Sequence, residues 1–277
     1  MQYPYGKNVL VTGASSGIGL ASCQLLSKNG FTVWGVSRSG KPREQIIESE
    51  TIRFSSMDVT NEVSVQNAVQ TIWKEAVRET GKGIFIVLHC AGMGIGGPAE
   101  DTEQEKAEQQ VNSNYFGVLR VNRNLLPLMR SQKHSLVLVI GSIAGRISIP
   151  YQSHYSSSKF ALEAYIEALR MEGRQFGIQA TIIEPGDTKT NFTASRKMAV
   201  SPTSPYFEQA NKTVGKMERD ENNGASPDSV AKVVLKLTRK KNPPIRKAVG
   251  ITYKLLLFLK RILPDKAVEF ILMKMYL

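Results

Sequence analysis

Cysteine is nearly missing from this 277-residue chain, which has only Cys23 and Cys90. Two cysteines so far apart make no disulfide framework, and that usage fits a reduced cytosol. Histidine is scarce too: His89, His134 and His154 share no metal-ligand spacing with the cysteines, which sets aside a metal centre. No apolar run approaches the roughly 20 residues that a bilayer-spanning helix requires. A charged-then-apolar leader with a small-residue cleavage site is also missing ahead of the first apolar run, so a cytoplasmic protein is expected. The chain shows no internal repeat, no low-complexity tract and no alternation of aromatic and basic residues. Its net charge of +12 therefore does not argue for nucleic acid. A length of 277 fits one α/β unit with an ample core.

What the sequence does contain is alternation. Short apolar runs at 8–11, 31–36, 52–55, 84–89, 136–140 and 179–183 are separated by helical patterns. These include 62–80, a long one near 103–129, and 155–175, where Phe160, Ala164, Ala168 and Met171 fall on one side. Crossovers of this length predict a doubly wound parallel sheet with helices on both faces. Ser226-Pro227-Asp228 predicts an N-cap opening a helix to about Lys240, and Lys247-Ala248-Val249 predicts a last edge strand.

The first run leads at once into Thr12-Gly13-Ala14-Ser15-Ser16-Gly17-Ile18-Gly19 and then a helix. Strand, glycine turn and helix amino terminus together present free backbone N–H groups and a positive dipole end to a pyrophosphate. Gly13 serves the tight turn, Gly17 the approach of cofactor to backbone, and Gly19 the close packing of helix on strand. The second run ends in Ser37-Arg38, with Lys41 and Arg43 close behind and no acidic residue at the turn. A carboxylate there would favour NAD, whereas the forked guanidinium of Arg38 suits the 2′-phosphate of NADP(H).

Tyr155 and Lys159 stand four residues apart on the predicted helix, their Cβ atoms roughly 6 Å from each other. A phenol with a pKa of about 10 is a poor acid or base at neutrality, and a neighbouring ammonium is expected to lower it. Ser142 follows the apolar run 136–140, at the carboxyl end of a strand where open α/β sheets place ligands. The spacing alone is cheap: Tyr3 and Lys7 share it, with Pro4 and Gly6 between them.

With these motifs in order, the chain resembles the short-chain dehydrogenase/reductase family over nearly all its length, in the branch of hydroxysteroid and retinol dehydrogenases. Thr12 to Gly19 matches the glycine motif, and Asp58-Val59 the adenine-pocket pair. His89-Cys90-Ala91-Gly92 stands where the family has Asn-Asn-Ala-Gly, and Asn114-Tyr115-Phe116-Gly117 matches Asn-x-x-Gly. Asn112 lies in the same segment, but Asn114 keeps Gly117 and Pro127 at the family's offsets. Pro185-Gly186-Asp187-Thr188-Lys189-Thr190 matches the stretch that lies along the nicotinamide. The resemblance implies a single-domain Rossmann-type fold and a catalytic set of Asn114, Ser142, Tyr155 and Lys159. It implies a coenzyme site that includes Gly13, Ser15, Ser16, Gly17, Ile18, Gly19, Ser37, Arg38, Asp58 and Val59. Cys90, Ala91, Gly92, Tyr155, Lys159, Pro185, Gly186, Thr188 and Thr190 complete that site. It also implies a homodimer or homotetramer formed through the helices that carry Asn114 and Tyr155.

Residues 1–250 are thus expected to form the NADP-binding catalytic domain, with 191–225 as a substrate lid. Few charges occur at Met93, Gly94, Ile95, Gly96, Ile143, Ile147, Ile149 and Tyr151, which should overlook the site. The expected activity is interconversion of a hydrophobic, steroid-like ketone or aldehyde and its alcohol. A catalytically silent NADP-binding scaffold or redox sensor is the alternative. The extension 251–277 is apolar and basic, and Pro264 breaks it. Two readings of it stay open: packing over the pocket or a partner subunit, and peripheral contact with a membrane surface.

Overall fold

A computed structural model describes residues 3–43 and 49–277. Strand β1 (Asn8–Thr12) turns into α1 (Gly17–Lys28), followed by β2 (Thr32–Ser37), β3 (Ile52–Ser56), α2 (Glu62–Thr80), β4 (Ile86–His89) and the two-residue β5 (Ile95–Gly96). Helix α3 (Gln104–Val111) passes through a π-helical turn at Asn112–Phe116 into α4 (Gly117–Arg130). Then come β6 (Ser135–Ile140), α5 (Ser153–Gly173), β7 (Ile178–Pro185), the single turn α6 (Asn191–Ala194) and β8 (Lys197–Met198). The chain closes with α7 (Phe207–Asn222), α8 (Pro227–Thr238), β9 (Arg246–Val249), α9 (Ile251–Ile262) and α10 (Asp265–Tyr276).

The main sheet has seven strands in the order β3-β2-β1-β4-β6-β7-β9, with parallel pairing throughout. The doubly wound Rossmann-type arrangement is as expected, with 246–249 as its edge. Chain order runs outward from β1 to β3, then jumps across β1 to β4. That reversal opens a crevice at the carboxyl ends of β1 and β4, where such sheets bind ligands. Central strands read as unbroken apolar runs because both faces are covered: Val9, Leu10 and Val11 have no solvent contact. One core packs Val69 and Ile72 of α2, Val121 and Leu125 of α4, and Ile166 of α5 against the sheet. The other packs Cys23 and Leu26 of α1 and Val230 and Val234 of α8 on the opposite face.

Caps lie where the side chains allow them. Asn61 accepts a hydrogen bond from the Ser64 amide (2.8 Å) at the start of α2, and Gly81 ends that helix at φ 72°. Ser226 caps α8 by accepting from the Asp228 amide.

One expectation is corrected. The pattern near 103–129 is not one α-helix, because the π turn at Asn112–Phe116 interrupts it. On α5 the shared side of Phe160, Ala164, Ala168 and Met171 faces away from the sheet. Met171 is 72 % exposed and Phe160 40 %, while Leu162, Ile166 and Leu169 are buried. Among the described residues no helix is long and apolar enough to cross a membrane.

Candidate active site

A cavity of about 880 Å³ opens at the crevice. It is lined by every coenzyme-site residue expected from the sequence, and by Ser142, Tyr155 and Lys159. Asn114 is buried just behind the wall, with Ser113 facing the cavity in its place.

The glycine turn suits an anionic dinucleotide. Gly13 has φ +66°, and a Cβ there would lie 2.6 Å from the Ala91 amide nitrogen. A Cβ on Gly19 would overlap the Gly13 carbonyl, so α1 can sit on β1 only with glycine at that position. Ser16 stands at the N-cap of α1 in extended backbone without a capping side-chain bond, and no acidic residue occupies the first turn. The leading N–H groups of α1 have no acceptor within the helix and border the cavity, as a pyrophosphate site requires. Thr12 Oγ1 accepts from the amides of Cys90 (3.2 Å) and Ala91 (3.3 Å), tying β1 to the segment after β4. At the far end Ser37, Arg38, Ser39 and Arg43 line the wall, and the Arg43 amide donates to the Ser15 carbonyl (2.8 Å). Lys41 does not border the cavity. Asp58 Oδ1 accepts from the amide and hydroxyl of Thr60, which fixes the turn after β3.

Helix α5 brings the chemistry. Lys159 is buried, and its Nζ donates to the carbonyl of Ile140 at 2.9 Å and lies 5.7 Å from the centre of the Tyr155 ring. Ser142 accepts from the Ala144 amide at 3.0 Å and lines the same cavity as the phenol of Tyr155. Burial pushes Tyr155 up to about 12; the nearby Ser142 hydroxyl opposes this, Glu221 adds to it, and Arg196 subtracts from it. A tyrosine depressed by its lysine neighbour is therefore not what this structure holds. Desolvation outweighs the nearby charges, and it also pushes Lys159 down to about 8 against the pull of Cys90 and Glu163. The other pair at this spacing, Tyr3 and Lys7, also makes a cation–π contact (5.2 Å) but lies outside any helix and away from the cavity.

The π turn explains Asn114. Its extra residue turns the side chain toward the segment after β4, where Oδ1 accepts from the Met93 amide (2.8 Å). Nδ2 donates to the Met93 carbonyl (3.0 Å) and to Ser158 Oγ (3.1 Å), so Asn114 clamps the cavity wall to α5. His89 takes a comparable structural role. Its Nε2 lies 2.9 Å from Asn122 Oδ1, and burial pushes the ring down to about 4, so it is neutral at physiological pH.

Of the residues expected to overlook the site, Met93, Ile143 and Ile149 line the cavity, while Gly94, Ile95, Gly96, Ile147 and Tyr151 do not. Ile147 is buried in the interior, and Ile95 and Gly96 pair with β8. Several residues carried no sequence signal. The ring of Phe192 packs 5.7 Å from that of Tyr155. Arg196, 1 % exposed in its side chain, pairs with Glu221, whose other oxygen accepts from Thr193 Oγ1 (2.6 Å). That buried ion pair ties the turn after α6 to α7, and segment 191–225 forms a wall of the cavity. Tyr253 of α9 donates to Asp187 Oδ2 (2.5 Å) and accepts from the Asp187 amide (3.0 Å), pinning α9 to the loop after β7. Leu255, Leu256 and Leu259 of α9 and Met275 and Tyr276 of α10 close that side.

The family model for short chain dehydrogenases matches residues 7–200. A 3-ketodihydrosphingosine reductase of Bacteroides thetaiotaomicron is 37 % identical over 271 residues, covering 97 % of each chain. The crystal structure of a short-chain dehydrogenase from Streptomyces avermitilis superposes with a TM-score of 0.80 at 27 % identity, covering 97 % of this chain and 95 % of that one. More distant structures share the fold. One is from Burkholderia phymatum in complex with NAD (TM-score 0.78, 19 % identity, 94 % and 95 % covered). Another is from Burkholderia cenocepacia in complex with NADP (TM-score 0.74, 20 % identity, 96 % of each). Sheet order, glycine cradle and matches along almost the entire length agree: the chain belongs to the short-chain dehydrogenase/reductase family of oxidoreductases.

Proposed function

We propose that the protein is an NADP(H)-dependent reductase of lipophilic ketones. The observation that carries this reading is the meeting of Tyr155, Ser142 and Lys159 in one cavity with the glycine cradle and an apolar wall. When bound, the nicotinamide coenzyme would supply the hydride to the carbonyl carbon. Tyr155 stays protonated at neutral pH because burial holds its phenol high, and a protonated phenol is what reduction needs at the carbonyl oxygen. Ser142 receives the Ala144 amide, which leaves its hydroxyl free to share a proton with Tyr155 or with the oxygen as negative charge gathers there. The ammonium of Lys159 supplies positive charge beneath the site and, by family resemblance, holds the nicotinamide ribose.

Preference for NADP(H) is supported by Arg38 and Arg43 at the end of β2, where the described part of the turn carries no carboxylate. A lipophilic substrate is supported by Ile143, Ile149, Leu255, Leu256 and Leu259 in the wall. The name of the Bacteroides relative puts a long-chain ketone first among candidates, ahead of a steroid ketone or retinal. The exposed apolar residues Phe116 and Phe160, at the end of the π turn and on α5, support a homodimer or homotetramer built on this face.

NADPH oxidation followed with 3-ketodihydrosphingosine, a steroid ketone, retinal and small polar carbonyls tests the reading. Turnover of the lipophilic ketones is expected, and activity confined to small polar carbonyls would overturn it. Arg38→Asp should weaken NADPH more than NADH; a wild-type enzyme that favours NADH would remove the coenzyme assignment.

A further inference from the structure

Helices α9 and α10 bury no residue, although their sequence is largely apolar. Ile251 is 85 % exposed, Phe258 58 % and Phe270 62 %, and Ile262, Met273 and Leu277 are exposed with them. Leu255 and Met275 do two things at once: each is exposed on the outside and each lines the catalytic cavity. The apolar outer face is therefore continuous with the wall of the active site. The pair is held in place from within. Tyr253 is bonded to Asp187, Thr213 Oγ1 donates to the Tyr276 carbonyl (2.8 Å), and Gln209 Nε2 donates to the Leu277 carbonyl (3.2 Å).

The last part of the chain is strongly basic. From Lys232 to Leu277 there are twelve basic side chains against Asp265 and Glu269, which leaves +10 of the chain's +12. Lys247 is pushed below its ordinary range, first by partial burial and then by the like charges of Lys254, Lys240 and Lys236, so these four share one field. Two helices of twelve residues joined at Pro264 are each too short to span a bilayer. Apolar residues interleaved with lysine and arginine are the composition of helices that lie in the interface. A second copy of this chain is a poor occupant, because a twofold pairing would set the same strongly positive surface against itself.

We propose that α9 and α10 form a docking surface for an anionic phospholipid bilayer, seating the mouth of the cavity on the membrane so that substrate enters from the acyl-chain layer. The entry step rests on the lipophilic-ketone reading above; the docking surface itself does not. Outward apolar side chains would sink into the interface while Lys254, Lys260, Arg261 and Lys266 meet phosphate groups. Leu255 and Met275 would then form the threshold between acyl chains and cavity.

Flotation of the full chain with vesicles of phosphatidylcholine, alone or mixed with phosphatidylglycerol, tests the proposal. The wild type should float with the anionic vesicles, less so as salt is raised, and stay behind with phosphatidylcholine alone. Phe258→Glu with Phe270→Glu, and separately Lys254→Glu with Lys260→Glu, change residues that do not themselves line the cavity; each pair should weaken binding at least about tenfold. Both should keep turnover of a water-soluble short-chain ketone and lose turnover of a long-chain ketone presented in vesicles. A wild type that fails to float overturns the proposal, as do double variants that float unchanged. Loss of a dimer in sedimentation by the Phe pair would assign the face to a second copy instead, and would also overturn it. Flotation is read without turnover, so a chain that floats but reduces no ketone sinks the reductase reading alone.

Discussion

The Tyr155–Lys159 pair shows how burial and charge compete at the scale of one side chain. The spacing places both groups on one face of α5, and the structure keeps them together, but desolvation drives each toward its neutral form. The ionisation that limits reduction should then be that of Lys159, not of the phenol. The rate should be level below about pH 8 and fall as pH rises through that value, because the ammonium is lost there while Tyr155 still holds its proton. A rate that stays level to about pH 10 would show that the lysine charge plays no part. Tyr155→Phe removes the proposed acid with little change in volume. Ketone reduction should drop by about 10²- to 10⁴-fold, with coenzyme affinity by fluorescence titration unchanged; wild-type turnover would end the assignment. The positions of these residues were legible because motif spacing survives folding. Their pKa directions were not, because burial depends on what the rest of the chain places around them.

At the scale of elements, α5 carries two apolar stripes, and only contact with the sheet selects between them. Ile166→Ala should cost about 2–5 kcal/mol in urea unfolding, since the side chain has no solvent contact. Met171→Ala should stay within about 0.5 kcal/mol, since its side chain points outward; the reverse ranking would mean that the faces are wrongly assigned. The π turn is a second case where periodicity falls short. One extra residue in 112–116 is invisible to a 3.6-residue pattern, yet it carries Asn114 onto the backbone of Met93. Asn114→Ala would leave both polar groups of Met93 without this partner, for a loss of about 1–3 kcal/mol. Thermal unfolding and the rate of reduction should fall together in that variant.

For the whole molecule, several wholly or partly buried phenols couple stability to alkali. Burial raises Tyr5, Tyr155 and Tyr276 to about 12, whereas the unfolded chain releases these protons from the ordinary value of 10. Above pH 10 the folded state therefore binds more protons than the unfolded one. Their contribution is complete below 10 and is lost as pH rises through 12. Lys159 acts in the opposite sense: its depressed value lets the unfolded state bind more protons between 8 and 10.5, so its term improves with pH there. Urea midpoints should consequently decline as pH is raised from about 10 to 12, and Tyr155→Phe should soften that decline. Midpoints that stay flat over this range would count against phenols buried in this way.

Order along the chain was enough to specify the parallel sheet, the glycine cradle, the position of Arg38 and the Ser142–Tyr155–Lys159 set, because each depends on local pattern and on the short reach between neighbouring elements. Only the tertiary structure decided which face of α5 is buried, that Arg196 and Glu221 meet inside the 191–225 segment, and that Tyr253 pins α9 beside the site. Those contacts join residues from separate elements, 66 positions apart for Tyr253 and Asp187. No sequence period encodes such a meeting; it arises when the sheet brings the carboxyl ends of its strands to one crevice.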